Sequence, residues 1–77
     1  DRVLDLGAGC GVIALILAYR HPEINLSALE LQSGLVALLR RNCQENFAGR
    51  IAVKAGDLRH IDGIFPAGSF DAVVANP

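Results

Sequence analysis

The short apolar run Arg2-Val3-Leu4-Asp5-Leu6 passes directly into three alternating glycines, Gly7, Gly9 and Gly11. Behind them stands Val12-Ile13-Ala14-Leu15-Ile16-Leu17-Ala18-Tyr19, too apolar for a loop and long enough for a helix. Strand, glycine turn, helix is the opening of a nucleotide-type α/β unit, in which glycine lets the backbone turn sharply and approach a ligand closely. The N-terminus of the helix carries partial positive charge and free N–H groups, and so favours an anionic group.

The rest of the chain repeats that alternation of elements. The first helix is expected from Cys10 or Gly11 to His21, with Pro22 ending it. It is apolar nearly all round, as for a helix wedged against a sheet, and Arg20 and His21 suit its C-terminal dipole. Ile24 to Leu31 shows the period of two of a strand and ends on an acid. A second helix is predicted over Ser33 to Asn46, with Leu35, Leu38, Leu39 and Cys43 on its inner side, and Gly49 closes the following turn. Ile51 to Ala55 reads as a third strand. Arg59 to Ser69, with Gly63, Pro66 and Gly68, reads as a loop holding at most one helical turn, and Phe70 to Ala75 as a fourth strand. Helical crossovers between the first three strands imply parallel pairing and right-handed connections. The expected fold is therefore a Rossmann-like, doubly wound α/β sheet in the order 3-2-1-4, with its ligand outside the strands' carboxyl ends. Asp5, the glycine turn, Glu30, Asp57 and Asn76 all fall at those ends.

Composition narrows the function classes. The 77 residues make one small unit, 52% hydrophobic with four aromatics, and read as a piece of a longer protein. A net charge of −1 offers no surface for nucleic acid or membrane, so a basic surface for RNA or DNA would lie mostly elsewhere in the protein. No stretch approaches the roughly 18 apolar residues of a membrane span, and no signal peptide is visible. Cys10 and Cys43 have no metal-ligand spacing and read as reduced packing residues of a cytoplasmic protein. No metal site is expected, and neither His21 nor His60 has a partner at a telling spacing.

The glycine spacing discriminates further. A dinucleotide fingerprint has G-x-G-x-x-G or A, and Val12 occupies the place of its third glycine; the pattern here is G-x-G-x-G. Inside Val3-Leu4-Asp5-Leu6-Gly7-Ala8-Gly9-Cys10-Gly11 it closely resembles motif I of the class I S-adenosylmethionine-dependent methyltransferases. Glu30, at the end of the second strand, can accept hydrogen bonds from both ribose hydroxyls, which a nicotinamide cofactor also possesses. The resemblance further implies that Asp57, in Ala55-Gly56-Asp57-Leu58, accepts from the adenine amino group with the Leu58 N–H beside it, and that Asp5 reaches the methionyl amine. The implied cofactor-binding set is Asp5, Gly7, Ala8, Gly9, Gly11, Glu30, Leu31, Asp57, Leu58 and Asn76.

Phe70-Asp71-Ala72-Val73-Val74-Ala75-Asn76-Pro77 is similar to the run into motif IV, Asn-Pro-Pro-Tyr, of methyltransferases that act on planar, amide-like or exocyclic nitrogens. The lone pair of such a nitrogen is delocalised. The Asn76 side-chain oxygen and the Pro77 carbonyl would accept its two N–H bonds and favour the pyramidal, nucleophilic form. The resemblance thus makes residues 1–77 the N-terminal cofactor-binding half of a class I methyltransferase domain, interrupted at motif IV, with Asn76 and Pro77 catalytic. Asp1-Arg2-Val3-Leu4-Asp5-Leu6-Gly7, Leu29-Glu30-Leu31-Gln32 and Gly49-Arg50-Ile51 look most like the bacterial tRNA(Val) adenine-N6 methyltransferases, which implies a tRNA substrate. Cys10 and Gln32 depart from the family's frequent Ser or Thr and Asp. A glutamine methyltransferase of release-factor type shares every motif; a nicotinamide-dependent oxidoreductase is the rival of another class. With its fourth strand an unprotected edge, the 77-residue piece alone is expected to be marginally folded and inactive.

Overall fold

The computed structural model describes residues 2–9, 11–47 and 50–75. The expectations placed on Cys10, Gly49, Asn76 and Pro77 lie outside the described residues. The chain runs β1 (Arg2–Leu6), α1 (Val12–Arg20), β2 (Asn25–Glu30), α2 (Ser33–Phe47), β3 (Ile51–Ala55), a 3₁₀ segment (Leu58–Gly63) and β4 (Ala72–Ala75). The four strands form one sheet in the order β3-β2-β1-β4, and every pairing is parallel. That is the expected topology.

Register explains the core. Val3, Leu26 and Ile51 stand side by side across β1, β2 and β3, and all three are buried. Ala14 and Ala18 of α1 and Leu39 and Cys43 of α2 close over that row. Gly11, Ala14 and Ala18 share one side of α1 at i, i+3 and i+7, so the helix comes close to its neighbours there. A Cβ on Gly11 would stand 2.6 Å from Leu39 Cδ1, and Gly11 itself has φ 95°, a conformation that disfavours any side chain. Alternation sends Leu4 and Leu29 to the opposite face, where both are also buried. The segment after β3 covers that face: Ile64 packs where a Gly56 side chain would stand, and Phe65 and Phe70 meet edge to face at 4.9 Å.

Several boundaries differ from the sequence reading, each for a physical reason. Gly11 caps α1 from the left-handed region, so the helix begins at Val12; the His21 N–H closes it on the Leu17 carbonyl. Only Ala14 and Ala18 of α1 are fully buried, while Val12, Ile16 and Tyr19 are exposed along its outer side, so the helix is covered on one face only. In α2, Val36, Leu39 and Cys43 point inward and Leu38 is exposed, because the Gly11–Leu39 approach fixes the rotation of the helix. The first residues expected in β4 instead clamp the sheet. The Asp71 carboxylate accepts from the Arg2 N–H at 2.8 Å, and the Asp71 N–H donates to the Arg2 carbonyl at 2.8 Å. The Arg2 N–H, and secondly the Arg2 guanidinium, hold the Asp71 carboxyl below its ordinary pKa. The loop after Asp57 contains two linked 3₁₀ turns with a kink at His60. α1 ends under Arg50, whose guanidinium donates to the Ala18 and Pro22 carbonyls.

Candidate functional site

All the described sequence-predicted acids gather at the carboxyl edge of the sheet, and hydrogen bonds tie the glycine turn and the strand ends together there around Glu30. The Gly7 and Ala8 N–H groups donate to the Leu29 carbonyl at 2.9 and 3.1 Å, folding the glycine turn over the end of β2. The Gly9 N–H donates to Glu30 Oε1 at 2.7 Å, the Gln32 N–H to Glu30 Oε2 at 2.9 Å, and the Gly56 N–H to the Glu30 carbonyl at 3.0 Å. Glu30 is buried, so it is not an ordinary solvated carboxylate at a strand end: it braces the turn. Each of its oxygens keeps a second lone-pair direction for a further donor.

Gly7, Gly9 and Gly11 all have positive φ, at 66°, 59° and 95°. Their roles diverge. Gly11 is buried against Leu39, whereas a Cβ on Gly9 would meet no atom within 4 Å. Gly9 therefore presents bare backbone to open space, as a close-approaching ligand requires. The donors of the turn are largely spent inside the protein, since the Gly11 N–H donates to the Ala8 carbonyl at 3.0 Å. The sequence expectation of an anion at this turn finds four amides, those of Gly7, Ala8, Gly9 and Gly11, already bonded within the chain.

Asp5 is the outlier. It is 1% exposed, beside Ala28 on one strand and Val74 on the other, and neither carboxylate oxygen has a hydrogen-bond partner among the described residues. Burial, and secondly the charge of Glu30, push its pKa above the ordinary carboxylate value. A carboxylate left so in a fold is a demand for a donor, best a cationic one. β4 reaches Ala75 beside Leu6 at the same edge.

Asp57 stands one residue beyond Gly56, at the start of the 3₁₀ segment opened by Leu58. Its carboxylate accepts from the Arg59 N–H at 2.9 Å and from the Arg59 guanidinium at 2.6 to 3.1 Å. These bonds lower its pKa to about 2. Leu31 follows Glu30 with its side chain 60% exposed, an apolar surface beside the acid. The Arg59 contact was not anticipated, although Asp-x-Arg at a turn is a signal for it; neither was the brace from Glu30 to Gly9, which spans 21 residues and leaves no local pattern.

Among the described residues no group of three or more His, Cys, Asp or Glu side chains could hold a metal ion, and no helix is long and apolar enough to cross a membrane. Cys43 is a buried free thiol whose pKa is raised by burial, a packing residue as expected.

Comparison with known proteins agrees with this geometry. A tRNA1(Val) (adenine(37)-N6)-methyltransferase of Serratia proteamaculans is 41% identical over the whole of this chain, which covers 30% of that protein. A release factor glutamine methyltransferase of Haemophilus influenzae is 37% identical over 99% of the chain and 27% of its own length. The chain thus spans about 30% of the length of these curated relatives. An RNA methyltransferase from Salinibacter ruber, solved in complex with S-adenosyl-L-homocysteine, superposes with a TM-score of 0.83 at 28% identity, over 97% of this chain and 46% of that one. The family model described as methyltransferase small domain matches residues 1–77, and with the sheet order, the glycine turn and the acids at its edge, the chain belongs to the methyltransferase small-domain family.

Proposed function

We propose that the chain is the S-adenosylmethionine-binding half of an N-methyltransferase domain, acting in the whole protein on adenine N6 of a tRNA. The observation that carries the cofactor is the charge pattern of the edge. Asp5, Glu30 and Asp57 are acceptor-only carboxylates, and S-adenosylmethionine presents donors at three places: an α-ammonium, two ribose hydroxyls and an adenine amine. A dinucleotide instead presents a pyrophosphate, whose negative oxygens would face Asp5 and Glu30 with the turn's amides already committed. That weighs against the nicotinamide reading.

The residues present fit the group. Asp5 supplies unpaired buried oxygens for the ammonium, Gly7, Ala8, Gly9 and Gly11 the bare turn over which the cofactor lies, and Glu30 the ribose acceptor. Leu31 offers an apolar face for the adenine, with Asp57 and the Leu58 N–H on its edge. When bound, S-adenosylmethionine supplies an electrophilic methyl group on a sulfonium. The chain's task is to orient the acceptor nitrogen: the Asn76 side-chain oxygen and the Pro77 carbonyl would accept its two N–H bonds, favour its pyramidal form and aim its lone pair.

Similarity to the tRNA1(Val) enzymes supports the RNA substrate, and the release-factor relatives keep a protein glutamine as the second reading. The test uses the intact protein with isotopically labelled S-adenosylmethionine and, separately, unmodified total tRNA and release factor, followed by mass spectrometry. N6-methyladenosine in tRNA is expected. Asn76→Ala should abolish transfer while cofactor binding survives. Methylglutamine in the release factor would select the second reading, and calorimetric binding of NAD in preference to S-adenosylmethionine would overturn the first.

A further inference from the structure

We infer that Arg59 is an internal competitor for the adenine-amine acceptor, occupying Asp57 before the cofactor does and so setting both its affinity and its salt dependence. The inference rests on the reading of Asp57 given above. A carboxylate has about four lone-pair sites. Asp57 Oδ1 accepts from the Arg59 N–H at 2.9 Å and from Nε at 3.1 Å; Oδ2 accepts from Nε at 2.9 Å and from Nη2 at 2.6 Å. Three N–H groups of one residue thus engage both oxygens, the single Nε hydrogen being shared between them. An adenine amine therefore meets an acceptor whose two oxygens are both already engaged, and it competes with the guanidinium for them.

The two halves of the Arg59 contact differ in what they do. The backbone N–H is the donor that the Asp57 cap satisfies at the start of the 3₁₀ segment, and it belongs to the fold. The side chain is 82% exposed, so it can swing away without disturbing packing. Asp57, by contrast, is only 18% exposed, which keeps it pointed and strengthens what it bonds. An exposed guanidinium on a half-buried acid is a pair that an incoming donor can replace at modest cost. It also keeps a buried-edge carboxylate satisfied when no donor is bound, whereas Asp5 has no such substitute. The arrangement makes binding an exchange of donors at Asp57. Its driving force is lowered by the strength of the Arg59 pair and raised by whatever screens that pair.

The test is calorimetric binding of S-adenosylhomocysteine to the intact protein as wild type, Arg59→Ala, Arg59→Gln and Asp57→Asn, at low and high salt. Arg59→Ala keeps the backbone N–H that Asp57 caps, and Asn at position 57 is itself a good cap, so each variant should retain the fold. Arg59→Ala is expected to tighten binding roughly two- to fivefold at low salt, the range of a partly exposed ion pair. Arg59→Gln should fall between it and the wild type. Raising salt should tighten binding to the wild type and leave Arg59→Ala unchanged. Unchanged or weaker binding by Arg59→Ala, with Asp57→Asn clearly weakened, would overturn the competition while leaving Asp57 as the adenine acceptor. Unchanged binding by Asp57→Asn would remove that reading and the competition with it.

Discussion

Asp5 offers the sharpest test of how this edge is built, because its two roles pull in opposite directions. Its carboxylate is 1% exposed, lacks a hydrogen-bond partner among the described residues and is repelled by Glu30. In the cofactor-free protein an ionised Asp5 is therefore a cost. Asp5→Asn keeps the volume and removes the charge. An unsatisfied buried polar group costs about 1–3 kcal/mol, more when charged, and the Asn amide inherits only the neutral part. Neutralisation is thus expected to stabilise the folded state by about 1–2 kcal/mol at neutral pH. The sign follows from linkage. The folded-state pKa of Asp5 is raised above its unfolded value. Below the unfolded value of about 4 both states hold the proton and the variant gains nothing from charge. As pH rises through the folded value the wild type loses stability, and the advantage of the variant grows to its plateau.

The assay is urea denaturation of the intact protein, wild type and Asp5→Asn, from about pH 3 to pH 8, with and without S-adenosylmethionine. Without cofactor the difference should be near zero at the acid end and favour the variant at neutral pH. With cofactor the order should reverse, because the ammonium loses a charge-assisted bond worth about 1.5–3 kcal/mol, a loss of roughly ten- to a hundredfold in affinity. A variant less stable than the wild type at neutral pH, or a gain that does not change with pH, would refute the account of Asp5 as a buried charge awaiting a donor. Unchanged cofactor affinity would refute its pairing with the ammonium.

The glycines should separate fold from binding. Gly11→Ala meets both a left-handed φ and Leu39 Cδ1 at 2.6 Å, and is expected to cost about 2–4 kcal/mol in a denaturant melt. Gly9→Ala has open space and a φ near the left-handed minimum, so it should cost about 1 kcal/mol in stability yet weaken cofactor binding more than Gly11→Ala does, measured by calorimetry on folded protein. Glu30→Gln places an amide N–H₂ against the Gly9 or the Gln32 amide and should destabilise by about 1.5–3 kcal/mol. It should also bring the Asp5 pKa downward, toward the ordinary value, in a carboxyl NMR titration, since Glu30 is one of the two causes holding it up.

The sheet was legible in the sequence because parallel strands leave periodic apolar runs and their crossovers have one hand. The site was legible only as a location. Spacing put Asp5, Glu30 and Asp57 at strand ends, but it could not say what each carboxylate touches, because the partners are either distant or conformational. Glu30 is held by an amide 21 residues away, Asp57 by an arginine whose swing depends on a 3₁₀ turn that reads as loop, and Asp5 by nothing. The rotation of α2 was hidden for the same reason: it is fixed by a contact between Gly11 and Leu39, not by the helix's own pattern, which favours Leu38 as readily as Val36.

These three acids look alike in sequence and occupy three different physical states, and that difference orders their consequences. Neutralising Glu30 removes two bonds that hold the turn, so the fold suffers first and binding follows from it. Neutralising Asp57 exchanges one good cap for another and releases an exposed arginine, so stability should barely move while the adenine contact is lost. Neutralising Asp5 relieves the fold and harms only binding. A set of purely structural carboxylates would lose stability at all three positions. A site shaped to receive donors predicts the graded series of loss, no change and gain, with cofactor affinity falling in every member of it.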